Sequence, residues 1–107
     1  MAKYLLKVSY SAEGLKGIMK SGGTARVEAV SKALAVVGGS LESFYFAFGS
    51  DDVYVIADVP SHKEASALAT TIGTSGAISS YETVVLLSPA EIDDAMQVAV
   101  DYAPPGS

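Results

Sequence analysis

Four strand-like segments of this chain carry apolar side chains on both faces, and they are set among three short amphipathic helices. A sheet covered by helices on one side needs only one apolar face. A second apolar face calls for a second partner, and another copy of the same chain is the expected one.

The chain has 107 residues, which is one domain. A chain of this size buries roughly 65% of the surface its unfolded form exposes, enough for a core without staples. Half of the residues are hydrophobic and 18% are charged, so the chain is globular rather than disordered. The formal net charge is −5, and the seven basic residues are scattered. No basic stripe tracks a phosphate backbone, which argues against nucleic acid as a partner. An acidic surface is equally ill suited to anionic membranes.

There is no cysteine, which excludes disulfides, zinc-thiolate sites and thiol catalysis. Residues 1–16 hold no apolar core of a signal peptide. No apolar run approaches the ~20 residues that a membrane span needs. A cytoplasmic protein is expected.

Tyr4, Leu6, Val8 and Tyr10 alternate with Leu5, Lys7 and Ser9, which predicts a strand. Leu15, Ile18 and Met19 follow in a short helical turn interrupted by Gly14 and Gly17. Ser21-Gly22-Gly23-Thr24 reads as a loop with Thr24 as N-cap. The stripe Val27, Val30, Leu34 and Val37 marks a helix that Gly38-Gly39 ends. Leu41–Phe48 is the second strand; Leu41, Ser43, Tyr45 and Ala47 face one way, and Phe44, Phe46 and Phe48 the other.

Gly49-Ser50-Asp51-Asp52 is a turn into a third strand, Val53–Val59, and the two strands form an antiparallel hairpin. Val53, Val55, Ala57 and Val59 share one face; Tyr54, Ile56 and Asp58 share the other. Ser61 and Glu64 have capping-box spacing at the start of a helix bearing Ala65, Leu68, Ala69 and Ile72. Ile78–Leu87 is the fourth strand, with Ile78, Val84 and Leu86 set against Tyr81, Val85 and Leu87. Ser88-Pro89-Ala90-Glu91 is a second capping box, opening a helix with Ile92, Ala95, Met96 and Ala99. One domain is expected over residues 1–100, with a tail over 101–107.

The order strand, helix, strand, strand, helix, strand predicts an α+β fold of ferredoxin-like βαββαβ topology. Both helices lie on one face of a four-stranded antiparallel sheet. Val53 and Val55 are expected beneath the helices, leaving phenylalanine and tyrosine rings on the uncovered face. A patch of that size marks an interaction surface, here a homodimer or higher oligomer formed through the sheet.

With these residues in place, the chain resembles the GYD domain family, small proteins grouped with the dimeric α/β-barrel folds. The resemblance rests on Tyr4-Leu5-Leu6-Lys7-Val8, Gly14-Leu15-Lys16 and Gly38-Gly39 with Ser43-Phe44-Tyr45. It continues through Gly49–Ile56, Pro60, Gly76 and Leu87-Ser88-Pro89-Ala90-Glu91. The family is named for a glycine-x-tyrosine-aspartate turn; Gly49 and Asp52 match it, while Asp51 stands where tyrosine is usual. A role needing that tyrosine hydroxyl is therefore not carried over. The resemblance implies the dimeric α/β-barrel fold and no particular reaction.

Candidate chemistry is sparse. Asp51 and Asp52 are adjacent, so in extended backbone they point apart; Asp52 is a candidate acid at a cavity mouth, set against ordinary turn chemistry. Asp58 is either a buried acid or a strand-end residue beside Pro60. His62 is the single histidine, a candidate base or, as in some relatives of the barrel fold, an axial haem ligand, set against a solvated surface residue. No metal-ligand spacing surrounds it, and no cofactor is expected. Ser21–Thr24, with Lys20 and Arg26, offers an anion loop but reads more simply as a connector.

The aromatic group Tyr10, Phe44, Tyr45, Phe46, Phe48, Tyr54 and Tyr81 suggests an apolar pocket wall, with Tyr10, Phe44, Phe46 and Tyr54 as candidate ligand-binding residues. The leading expectation is a homo-oligomeric small-molecule-binding module. Two alternatives stand beside it. One is a dimeric α/β-barrel enzyme, isomerase or monooxygenase, acting on a small aromatic or haem-like substrate through Asp52, Asp58 or His62. The other is a purely structural self-assembling protein.

Overall fold

The computed structural model describes residues Met1 to Ser107. The elements run β1 (Ala2–Tyr10), α1 (Ala12–Ser21), α2 (Gly23–Val36), β2 (Ser40–Phe46), β3 (Val53–Val59), α3 (His62–Gly73), β4 (Ile78–Leu86) and α4 (Pro89–Ala95). The four strands form an antiparallel sheet in the order β2-β3-β1-β4. This is the α+β ferredoxin-like arrangement, with β1 and β3 central and β2 and β4 as open edges. No helix is long and apolar enough to cross a membrane.

The core follows from strand alternation. Tyr4, Leu6 and Val8 on β1 pair with Ala57, Val55 and Val53 on β3, so all six side chains rise from one face. All six are buried, and Leu34 of α2 and Ala65 and Leu68 of α3 close over them. Leu34 is 0% exposed, so α2 is anchored through its last turn.

Several local expectations are corrected. The segment after β1 is a ten-residue helix rather than an interrupted turn, because Ser11 caps it by accepting from the Gly14 N–H at 3.2 Å. The loop expected at Ser21–Thr24 contracts to Gly22, whose φ of +83° makes the bend that a side chain would resist. Thr24 consequently lies inside α2 and caps nothing. Ser61 precedes α3, but its hydroxyl donates to Glu64 at 2.7 Å instead of capping the backbone. The box at Ser88 and Glu91 is complete in both directions, and its bonds from Ser88 hold the Glu91 carboxyl below the usual range. The last helix stops at Ala95, so Ala99 lies beyond it.

A bulge redistributes the aromatic rings. Leu41 pairs with Ala57, but Ser43 pairs with Ile56, so Glu42 is the extra residue in β2. Leu41 therefore joins Phe44 and Phe46 on the helix-covered face instead of joining Ser43 and Tyr45. A second irregularity, after Ser9, puts Ile78 opposite Tyr10 and on the face of Tyr81. Phe48 lies past the end of β2, fully exposed. The uncovered face thus carries tyrosines and no phenylalanine. Its central row is Ser43, Ile56, Leu5 and Val84, flanked by Tyr45, Tyr54, Lys7 and Glu82 on one side and Ser40, Asp58, Lys3 and Leu86 on the other.

Beyond β4 the chain leaves the body. No residue of α4 is buried, and Ile92, Met96, Val98, Val100 and Tyr102 are all exposed. The radius of gyration is 16.9 Å, whereas a compact chain of this length has about 13 Å. The surplus length fits a C-terminal arm that packs on nothing of its own.

Two glycines of α1 separate close approach from idle flexibility. A Cβ at Gly14 would collide with the carbonyl of Ala77 and the ring of Tyr10, whereas one at Gly17 would meet nothing. Gly14→Ala is expected to destabilise by about 1–3 kcal/mol through overpacking. Gly17→Ala is expected to stabilise by about 0.5–1 kcal/mol, since the helix interior favours alanine. Urea denaturation of both variants checks the pair, and similar midpoints for the two would contradict this packing.

Candidate functional site

Between the sheet and helices α2 and α3 lies a cavity of about 320 Å³. It exists because the two helices lean on the sheet over its centre but carry small residues next to it: Ala29 and Ala33 on α2, with Ala77 before β4. Leu6, Val8, Val53 and Val55 form its floor. The space is partly open to solvent, and its lining is predominantly apolar, which suits an apolar guest. The volume lies at the small end of ligand sites.

Aromatic rings form part of the wall. Tyr10, Phe44 and Tyr81 all line the cavity. Phe44 meets Phe46 edge to face, with centroids 5.3 Å apart. Phe46 lies just outside, where its ring touches the start of α2 at Gly23; a Cβ there would come within 2.8 Å of the ring.

Three polar groups stand in these surroundings. Arg26 is the cavity's one charged lining residue and also borders an adjoining groove with Gly17, Ser21 and Gly22. No carboxylate pairs with it. The Tyr81 hydroxyl is buried with no hydrogen-bond partner in the chain, and burial pushes its pKa up to about 12. Tyr10 is also raised, first by burial and further by Asp52, while Arg26 opposes the shift. Both hydroxyls therefore stay protonated at neutral pH.

The residues singled out in the sequence are not brought together. Of the four candidate ligand-binding residues, Tyr10 and Phe44 line the cavity, Phe46 flanks it, and Tyr54 lies on the opposite face of the sheet. Asp52 accepts from the Tyr10 N–H at 2.9 Å and its own N–H donates to the Val8 carbonyl, so it ties the turn to β1. Asp51 accepts from the Ser9 hydroxyl and lies 3.7 Å from Lys7. Asp58 is bound to Lys3 at 3.2 Å on the uncovered face. None of Asp52, Asp58 and His62 lines the cavity.

His62 is engaged elsewhere. Its Nδ1 shares a hydrogen bond with the buried Tyr4 hydroxyl, at a shallow groove that also includes Ser66 and Thr83. A haem held by His62 would lie outside the cavity. No cluster of metal-ligating side chains forms anywhere in the chain.

Sequence reasoning missed the place of Arg26 on the cavity wall and the orphaned state of the Tyr81 hydroxyl. Arg26 was legible only as a neighbour of the Ser21–Thr24 segment. Its position one turn into α2 became readable once the helix start was known. Nothing in the sequence shows that a tyrosine lacks a partner.

The family model of the GYD domain matches residues 4–96 of the chain. No curated protein and no solved structure matches it.

Removing the orphaned hydroxyl has a definite consequence. Tyr81→Phe is expected to stabilise the ligand-free protein by about 1 kcal/mol, since an unmade buried hydrogen bond is lost at no cost in packing. Between pH 10 and about 12 the unfolded chain gives up this proton and the folded chain keeps it. The unfolded state then binds fewer protons, so wild-type stability falls across that window. The advantage of Tyr81→Phe is expected to widen over the same interval. Thermal denaturation of both proteins at neutral pH and at pH 11 measures it, and a less stable Tyr81→Phe protein at both values contradicts the assignment.

Proposed function

The chain belongs to the GYD domain family, and from that footing we propose that it is a homo-oligomeric small-molecule-binding protein whose ligand occupies the cavity between sheet and helices. The cavity itself carries the proposal. It is a concave, mostly apolar pocket of about 320 Å³, partly open to solvent and with aromatic walls, which is the form that small-molecule sites take. A ligand with an apolar body restores the contacts the lining forgoes.

The oligomer is argued separately. The half-buried row of Ile56, Leu5 and Val84 crosses the middle of the uncovered face. Charged groups border it: Lys3 binds Glu42 and Asp58, and Lys7 binds Asp51 and Glu82. An apolar centre within a polar rim is how protein interfaces are built. The exposed apolar residues of the C-terminal arm supply a second surface for the neighbouring copy.

Two measurements test these points. Native mass spectrometry of gently purified protein is expected to show a multiple of the 11.0 kDa chain mass, together with a reproducible small-molecule adduct. Ile56→Glu puts a charge in the centre of the row and is expected to yield a folded monomer in light scattering. A wild-type protein that is monomeric at all concentrations overturns the oligomer. A protein that takes up no apolar compound overturns the binding role.

A further inference from the structure

We propose that the cavity selects small monocarboxylic acids, with Arg26 pairing the carboxylate and Tyr10 donating a hydrogen bond to it while the apolar body lies over Leu6, Val8 and Phe44. This rests on the binding role proposed above and names the ligand class.

The argument starts from charge. The protein carries a net −5, yet the only charged residue on the cavity wall is a cation. Arg26 has no carboxylate partner; Lys16, Lys20 and Lys32 lack one too, but none of them lines the cavity. A guanidinium at an apolar wall loses part of its hydration, and an anion that pairs with it restores favourable contacts. Its planar fork matches a carboxylate, through two parallel N–H donors. One guanidinium balances one negative charge, which fits a carboxylate better than a doubly charged phosphate ester.

A tyrosine adds the second observation. Tyr10 lines the same cavity, within electrostatic reach of the guanidinium. Burial raises its pKa and keeps the hydroxyl protonated. It can donate to a carboxylate and would not repel it as a phenolate. Tyr81 lines the cavity through its ring, its own hydroxyl being sealed away from it. Asp52 acts on Tyr10 but is fixed to its backbone N–H. The anion is therefore placed towards α2, away from Asp52.

Size completes the description. A cavity of about 320 Å³ admits one ring or a short alkyl chain. Arg26 also faces the groove beside Gly17 and Gly22, so the charged head can lie towards solvent while the body is enclosed.

The test uses matched pairs that differ in charge at nearly equal shape: phenylacetate with phenylacetamide, and hexanoate with hexanamide. Toluene serves as a reporter of the cavity alone. Affinities are read from amide chemical-shift titrations of the full chain. The acids are expected to bind about tenfold more tightly than their amides, a difference of about 1.4 kcal/mol. In Arg26→Gln that preference is expected to fall within about twofold, with the amides unaffected. Tyr10→Phe is expected to weaken the acids about fivefold, whereas Tyr81→Phe, whose hydroxyl is sealed away from the cavity, is expected to leave them within about twofold. The dispersion of the free spectra shows that each variant is folded. Should the amides match the acids, or the acid preference survive Arg26→Gln, the carboxylate assignment falls and the cavity role stands. Should none of the compounds, toluene included, shift the cavity residues, the binding role falls as well.

Discussion

The pairing of β1 with β3 holds the remaining structure in place. Tyr4, Leu6 and Val8 sit directly across from Ala57, Val55 and Val53, and this register puts six apolar side chains under the helices. A slip of one residue would turn Leu5, Lys7, Tyr54 and Ile56 towards the helices instead. Two lysine-bearing positions and Asp58 would then enter the core, at a cost no helix could offset. The same register fixes the uncovered face, since its residues are those left over. The core and the proposed interface are two readings of one alignment.

The cavity follows from where the helices touch that core. Leu34 of α2 and Ala65 and Leu68 of α3 are the helix residues buried in the core, so the helices bear on the sheet at limited points. Ala29, Ala33 and Ala77 line the gap with short side chains. Filling the gap would take only larger residues at those positions. Elsewhere the packing is tight; Gly39, for example, lies so close to the Asp58 carbonyl that a Cβ would come within 2.5 Å of it.

Much of the fold was legible. Period-two alternation located β1 and β3 and their buried faces, and the capping box at Ser88 located α4. What escaped were departures from period. The extra residue at Glu42 moved Leu41 to the phenylalanine face, and the irregularity after Ser9 moved Ile78. A bulge adds one residue without a composition signal, so alternation read across it assigns the wrong face. The continuity of α1 escaped because its two glycines read as breaks, while Gly14 is there for contact with Ala77. The site was less legible than the fold. Tyr10 and Phe44 carry an aromatic signal, but the standing of Arg26 depends on which carboxylates fail to reach it, and that is a property of the assembled chain.

The charges on the uncovered face limit how it can associate. Each lysine of β1 is held by two carboxylates, and the hydrogen bonds that Lys3 donates to Glu42 and Lys7 to Glu82 raise the lysine pKa values, with Asp58 and Asp51 adding to the effect. Two lysines against four carboxylates leave the face with an excess of negative charge. A two-fold pairing brings identical faces together, so the rims repel. Attraction must then come from the apolar row of Ile56, Leu5 and Val84 and from the arm beyond β4, which carries Ile92, Met96 and Val100. Rim repulsion is screened by salt over about 10 Å at 0.1 M, while apolar burial is not weakened by it. Association through this face is therefore expected to tighten as ionic strength rises, the reverse of an interface held by opposite charges.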